Sequence, residues 1–177
     1  DGTQSSSNRE ELEKIIKQAK LSLCKIKTAK MEGSGFLCKI PTPVLITCNH
    51  VLDQEDIENG NEIYISFNNS EKEKIIKIDE NRRTFTEREI NGTEIDITII
   101  ELFPEKDGFK DEDFLEIDEY LLKDDDSKMI KKHYDSKDVY IIHYKDGKKT
   151  FSNGVVELKI KDNLFDIIHN CDTNEGS

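Results

Sequence analysis

The stretch Val44–Leu52, which reads VLITCNHVL, decides the fold expected for this 177-residue chain. A short apolar run that ends in polar residues predicts a buried β-strand, with His50 in the turn that follows it. Further along, the stretch Ile95–Ile100 reads IDITII and predicts a second buried strand carrying one acid, Asp96. Taken singly, His50 is expected to be a hydrogen-bonded core histidine, and Asp96 a strand cap or a partner of Arg88. Together they offer the imidazole and buried carboxylate that a hydroxyl nucleophile needs near neutral pH.

The residues before Leu21 differ from the rest of the chain in composition and in the spacing of their apolar residues. Residues 1–6 are small and polar and are expected to be disordered. Ser7 and Glu10 match a capping box, and apolar residues at helical spacing predict a short amphipathic helix from about Glu10 to Lys20. The predicted organisation is a polar N-terminus with this helix at 1–20, a first β-barrel at 21–103, an acidic linker at 104–137 and part of a second β-barrel at 138–177.

After the helix, short β-type runs alternate with turn residues, which predicts an all-β fold. The segment Lys145–Lys148 contains an Asp-Gly pair and predicts a hairpin turn. Six strands, a linker and three further strands indicate two successive β-barrels, the second one unfinished. The nine candidate strands are 21–28, 35–40, 44–47, 62–67, 74–78, 95–102, 139–144, 154–160 and 164–169.

Composition argues against several classes of partner. The formal net charge is −12, which disfavours nucleic acid, and no apolar stretch approaches the roughly 20 residues that span a bilayer. The four cysteines form no Cys-x-x-Cys pair and are expected to be reduced, so no metal and no cofactor are expected. The lack of a signal peptide favours a cytoplasmic location, although Asp1 in place of Met leaves the compartment open. The oligomeric state is not predicted.

Four segments, in this order along the chain, resemble the trypsin-like (chymotrypsin-fold) serine protease superfamily. Gly33–Leu37 (GSGFL) is similar to the glycine-rich strand before the catalytic His. Val44–Leu52 resembles the strand and turn of common form apolar-apolar-Thr-Ala-x-His-Val-Leu, and Ile95–Ile100 resembles the segment that holds the catalytic Asp. Thr173–Ser177 (TNEGS) is similar to the approach to Gly-x-Ser-Gly. Within the superfamily, the sequence pattern is most similar to that of glutamyl-endopeptidase-like and trypsin-like peptidase domains.

The resemblance implies two antiparallel six-stranded β-barrels of the chymotrypsin type, the second incomplete, with a short N-terminal helix. It implies a serine endopeptidase that acts on protein or peptide substrates through a His-Asp-Ser triad in a cleft between barrels. His50 is expected to act as general base and then as general acid, and Asp96 to orient and stabilise the imidazolium.

The nucleophile falls at the end of the sequence. With Gly176 as the Gly two places before the nucleophile, the attacking residue is the one after Ser177, and the chain as given is expected to be inactive. Ser177 itself is the second choice, but Glu175 then replaces a Gly whose backbone N–H helps to form the oxyanion hole. Gly176 is expected to supply one oxyanion N–H.

Substrate preference is left open between two neighbouring residues. Thr173 matches the Thr that contacts an acidic or amide P1 side chain, whereas Asp172 matches the pocket-floor acid that selects Arg or Lys.

Two rival functions also remain. The first is a protease-like, non-catalytic module that binds peptides through the same cleft, and the second is an acidic interaction protein built on an unrelated β-sandwich. A structure with His50 and Asp96 on opposite sides, out of hydrogen-bond reach, would exclude the protease.

Overall fold

The apolar run before His50 forms strand β3 (Thr42–Thr47), and its last four residues are buried. In the computed structural model, which describes residues 3–67, 73–90, 92–118, 127–145, 148–161, 164–169 and 171, β3 lies between β2 (Glu32–Ile40) and β7 (Thr93–Glu101). It pairs antiparallel with both strands, from Gly35↔Thr47 on one side and Thr47↔Thr98 on the other. A central strand of this kind explains the uninterrupted apolar sequence.

The chain divides into two units, Asp1–Glu116 and Ile117–Ser177. In the first unit the sheet runs in the order β5-β4-β1-β2-β3-β7-β6, and β8 pairs parallel with β2. The curled antiparallel sheet forms a half-barrel that is consistent with a chymotrypsin-like fold. Its remaining strands are β1 (Leu23–Lys27), β4 (Glu62–Ser66), β5 (Lys74–Lys77), β6 (Thr84–Ile90) and β8 (Leu115–Glu116).

One apolar core fills the inside of this sheet. Alternate residues of β1 and β4 point inward, as expected of strands with one face toward a core and one toward solvent. The buried members of the core are Cys24, Ile26, Leu37, Leu45, Val51, Leu52, Ile63, Ile65, Ile76, Ile78, Ile100, Leu102, Phe109 and Phe114. Val51 and Leu52 directly follow His50, so the core also anchors the turn that carries this residue.

Helix α1 spans Thr3–Ser22 and is longer than the sequence predicts. It includes residues 3–6, which were expected to be disordered, and the Ser7–Glu10 segment lies inside the helix rather than at its start. Shorter helices are α2 (Gln54–Glu58), capped by Asp53 and Asp56, and α3 (Pro104–Asp107). No helix of the described residues is long and apolar enough to cross a membrane.

A buried ion pair ties α3 to the sheet. Arg82 and Asp107 form two hydrogen bonds of 2.6 and 2.8 Å, and their side chains are only 1% and 4% exposed. The Oδ2 atom of Asp107, which accepts from Nη1 of Arg82, also accepts the backbone N–H of Phe103 at 2.8 Å. Residues 104–116, the beginning of the predicted linker, belong to the first unit, and Phe109 and Phe114 are part of its core. They also include a 3₁₀ turn at Asp111–Asp113.

The second unit contains helix α4 (Ser127–Tyr134) and the antiparallel strands β9 (Asp138–Lys145), β10 (Lys148–Lys161) and β11 (Leu164–His169). Their order in the sheet is β11-β10-β9, and α4 packs on β10 through Ile130 and Val156. Lys145 pairs with Lys148, as the predicted hairpin requires, while the turn residues 146 and 147 lie outside the described residues. A second barrel stays a prediction.

Candidate active site

His50 and Asp96 form a closely coupled pair. The Nδ1 atom of His50 lies 2.6 Å from Oδ2 of Asp96, and the backbone N–H of His50 donates to Oδ1 at 2.9 Å. Both carboxylate oxygens therefore contact one residue, which fixes the imidazole ring in orientation as well as in position. With Nδ1 engaged by a carboxylate, Nε2 is the ring nitrogen able to take up a proton, and the His50 side chain is 45% exposed.

The backbone on both sides of His50 is held in place. The carbonyl of Cys48 accepts the N–H groups of Val51 and Leu52 at 3.1 and 3.2 Å, which closes a tight turn around the histidine. Val51 packs against Gly33 so closely that a Cβ at Gly33 would lie 2.4 Å from a Val51 methyl group. This contact gives a physical reason for the first glycine of the Gly33–Leu37 segment.

Asp96 does not occupy a regular strand position. The β6–β7 register moves from Glu87↔Ile97 to Glu89↔Glu94, so β7 holds one residue more than β6 over this interval. Asp96 lies in the resulting bulge with φ of 48°, in the left-handed region that only a small share of residues other than glycine adopt. Bulges of this kind redirect side chains and occur often beside active sites. Here the bulge coincides with the residue whose carboxylate reaches the turn of His50.

The electrostatic state of Asp96 follows from this geometry. Partial burial favours the neutral acid, but hydrogen bonds from the side chain and backbone of His50 favour the carboxylate more strongly. The pKa of Asp96 is therefore lowered from its ordinary value. An ionised Asp96 is what the pair needs in order to stabilise an imidazolium at neutral pH.

A chain of hydrogen bonds behind His50 joins its turn to the β6–β7 hairpin. Arg88 Nε donates to Oδ1 of Asn49 at 2.6 Å, and Nδ2 of Asn49 donates to the hydroxyl of Thr86. Thr86 and Thr98 are 2.8 Å apart, and Thr98 donates to the Leu52 carbonyl at 2.7 Å. Asn49 is only 5% exposed, so its polar side chain depends on these partners.

This network corrects one expectation and adds residues that the sequence did not single out. Arg88 was the sequence-based alternative partner of Asp96, but its guanidinium binds Asn49, and Asp96 binds His50. Asn49 could have been singled out as the neighbour of His50. Thr86 carries no such signal, and neither does the contact of Arg88 with Asn49, because only the fold of the hairpin brings these residues to the turn.

A third side chain reaches the pair. The Sγ atom of Cys48, a nitrogen of His50 and a carboxylate oxygen of Asp96 all lie within 4.8 Å of one another. Cys48 is half-buried, and burial, followed by the negative charge of Asp96, raises the pKa of its thiol. These three are the donors at this site that could hold a metal ion.

The other predicted site residues, Asp172, Thr173, Gly176 and Ser177, lie outside the described residues. The described residues thus contain the His50–Asp96 half of the predicted triad. The remaining histidines with described side chains are elsewhere: His143 is buried in β9, and His133 is exposed on α4.

No protein-family model and no curated protein matches the chain. Two solved structures are similar to it in fold. Deg5 aligns over 96% of this chain and 77% of its own, with a TM-score of 0.59 and 14% identity. The inactive form of the Rv3671c protease aligns over 89% of this chain and 69% of its own, with a TM-score of 0.51 and 13% identity. The second of these proteins is a protease.

The curled antiparallel half-barrel and the N-terminal helix are consistent with the chymotrypsin-like fold that the sequence resemblance predicted. The curled half-barrel disagrees with the β-sandwich alternative, and the His50–Asp96 contact is the one that the protease interpretation requires. The similarity does not extend to the glutamyl endopeptidases in particular.

Proposed function

We propose that the protein is a serine endopeptidase in which His50 is the general base and Asp96 orients it. The observation that carries this proposal is the double contact of Asp96 with the Nδ1 atom and the backbone N–H of His50. A structural histidine that is buried needs a hydrogen-bond partner at each ring nitrogen, whereas the His50 side chain is 45% exposed. A catalytic base instead needs one nitrogen fixed by a carboxylate and the other facing the substrate side.

In the proposed reaction, Nε2 of His50 accepts the proton of the nucleophilic hydroxyl as that oxygen attacks the peptide carbonyl. The carboxylate of Asp96 stabilises the imidazolium, which then gives its proton to the leaving amine. The nucleophile is assigned to the residue that follows Ser177, with Ser177 as second choice, and Gly176 is assigned one oxyanion N–H. These assignments rest on the sequence resemblance.

The same resemblance gives two alternative assignments of the P1 preference. If Thr173 sets it, the preferred P1 side chain is acidic or an amide, as in the glutamyl endopeptidases. If Asp172 sets it, the preferred P1 residue is Lys or Arg. Cleavage of a peptide library separates the two assignments. Substitution of the residue that sets the P1 preference changes which peptide bonds are cleaved, whereas substitution of the other residue leaves the cleaved bonds unchanged. The substrates in either case are proteins or peptides.

Covalent labelling by a fluorophosphonate probe tests the proposal, using protein that extends past Ser177. The probe reacts with a serine hydroxyl only when a base activates it, so we expect labelling of one serine that disappears in His50→Ala. His133→Ala is the matched control, since His133 is exposed on α4, and it should label like the wild type. Labelling that persists in His50→Ala contradicts the role of His50. No labelling at all contradicts the enzyme and leaves the peptide-binding module.

A further inference from the structure

The resemblance of Val44–Leu52 to the His-containing motif has one chemically important departure. Where the common form has Ala two residues before the histidine, this chain has Cys48. The difference adds a sulfur donor to an imidazole and a carboxylate, with all three donor atoms within 4.8 Å of one another. Cys, His and Asp are all zinc ligands, and three such ligands with one open position are typical of accessible zinc sites.

The spacing of the donors is close to what a tetrahedral ion requires. Zinc bonds of about 2.3 Å to sulfur and about 2.0–2.2 Å to nitrogen and oxygen place the donors about 3.3–3.6 Å apart. The Cys48 sulfur lies within 4.8 Å of the other two donors, so it has to approach them by at most about 1.5 Å to meet this spacing. The His50–Asp96 contact of 2.6 Å is too short for both atoms to bind one ion, so binding must open this hydrogen bond.

The local backbone is already fixed in a way that suits an ion. Cys48 and His50 belong to one closed turn, with the Cys48 carbonyl held by Val51 and Leu52. The Oδ1 atom of Asp96 accepts the His50 backbone N–H at 2.9 Å, an outer contact of the kind that orients metal ligands. The exposed side chain of His50 leaves a solvent side for a water ligand.

The donor set also selects the kind of ion. A thiolate and an imidazole favour zinc and other thiophilic divalent ions over Mg²⁺ and Ca²⁺, which take oxygen ligands. Charge is balanced as well, because the thiolate and the carboxylate together neutralise a divalent cation, and the thiol proton is released to solvent.

We infer that Cys48, His50 and Asp96 form a reversible zinc site that competes with the His50–Asp96 hydrogen bond. Zinc and the proton-transfer pair use the same imidazole and carboxylate, so the loaded site cannot act as a base. The binding stands on the three donors alone, whereas its inhibitory effect rests on the proposed protease function.

Direct binding to the 177-residue chain tests the site. Cadmium is a spectroscopic probe for zinc, because a Cd²⁺–thiolate bond gives near-ultraviolet charge-transfer absorption. We expect one equivalent of Cd²⁺ to produce this band, zinc to displace it, and the ring nitrogen shifts of His50 to change on titration. Loss of one outer contact already weakens metal sites about 10–100-fold, so Cys48→Ser should weaken binding at least 100-fold.

Two controls separate this site from the acidic surface and from the other thiols. Cys38→Ala removes a buried thiol of β2 and should bind cadmium like the wild type, while Mg²⁺ at equal ionic strength should not displace the band. Equal cadmium binding by Cys48→Ser, or no band in the wild type, would overturn the inference.

The inhibitory effect has its own readout. In protein that extends past Ser177, zinc should slow fluorophosphonate labelling of the wild type and of Cys38→Ala, and a chelator should restore it. Cys48→Ser should keep its own zinc-free rate on addition of zinc. Cadmium binding without fluorophosphonate labelling in metal-free protein contradicts the protease proposal alone, whereas labelling that zinc does not affect contradicts the inhibitory site alone.

Discussion

Two acid–base pairs in the first unit have the same closest contact and opposite surroundings. The His50–Asp96 and Arg82–Asp107 pairs both have a contact of 2.6 Å. The side chains of the first pair are 45% and 34% exposed, and those of the second are 1% and 4% exposed. Contact distance therefore does not distinguish the pair that we propose to be catalytic from a structural ion pair, whereas the exposure of the side chains does.

The partners of each pair explain this difference. Arg82 donates to the carbonyl oxygens of Lys77 and Glu101 as well as to Asp107, and a guanidinium does not lose its proton in proteins. This pair can only hold segments together. In the other pair, an imidazole that can exchange a proton is fixed at one nitrogen, and its side chain is 45% exposed.

The largest expected effect is on catalysis by Asp96→Asn in protein that extends past Ser177. An amide can hold the wrong imidazole tautomer, and the corresponding change in a serine protease triad costs about 10⁴-fold in kcat. Peptide hydrolysis under saturating substrate measures it. Thermal unfolding in parallel should show a small change, and a loss of kcat below tenfold in folded protein would place Asp96 outside the catalytic machinery.

At the buried Arg82–Asp107 pair, we expect substitution to change stability strongly. Asp107→Ala leaves the Arg82 charge buried without its carboxylate and should lower the free energy of unfolding by about 3–5 kcal/mol. Urea unfolding measures this. The matched control is Arg83→Ala, which removes the surface pair of Arg83 with Glu101 and should lower the free energy of unfolding much less than Asp107→Ala does. Equal effects of the two variants would contradict the structural role of Arg82–Asp107.

A smaller effect on activity is expected where the turn of His50 meets the hairpin. Arg88→Ala removes the donor that holds Asn49, and displacement of a catalytic group by about 1 Å can cost about 100-fold. We expect a 10- to 100-fold fall in kcat with little change in KM, partly recovered by Arg88→Lys. Glu89→Gln, an exposed neighbour on β6, should behave like the wild type. A change in KM alone would argue that Arg88 binds substrate instead of positioning His50.

The smallest expected effect is a pH dependence of stability. Because the pKa of Asp96 is lower in the folded protein than in the unfolded chain, the carboxylate stabilises the fold above the unfolded value of about 3.9. That contribution is lost as pH falls through the lower folded pKa. Urea midpoints between about pH 3 and 7 should therefore drop less steeply for Asp96→Asn than for the wild type. Parallel curves would show that His50 does not perturb Asp96.

The sequence was sufficient to predict the strands in which the order of apolar and polar residues follows their burial. The run before His50 is central in the sheet, so its apolar residues are continuous and its strand was predicted. Strand β6 was missed, because it lies at the sheet edge and its residues other than Thr86 are exposed, which leaves no hydrophobic period to detect.

The candidate site shows the same division. The sequence resemblance pointed to His50 and Asp96, and the structure brings them into contact. The support of the site could not be predicted, since the Arg88–Asn49 bond depends on how the β6–β7 hairpin folds over the turn. The role of Gly33 likewise depends on the approach of Val51 across the sheet.

The tautomer of His50 tests the central claim most directly, and it can be measured on the 177-residue chain by long-range ¹H–¹⁵N correlation NMR at alkaline pH. We expect the proton on Nδ1 in the wild type and a shift toward the Nε2 tautomer in Asp96→Asn. A wild-type His50 with its proton on Nε2, or a tautomer that Asp96→Asn leaves unchanged, would contradict the claim that Asp96 prepares His50 as a base.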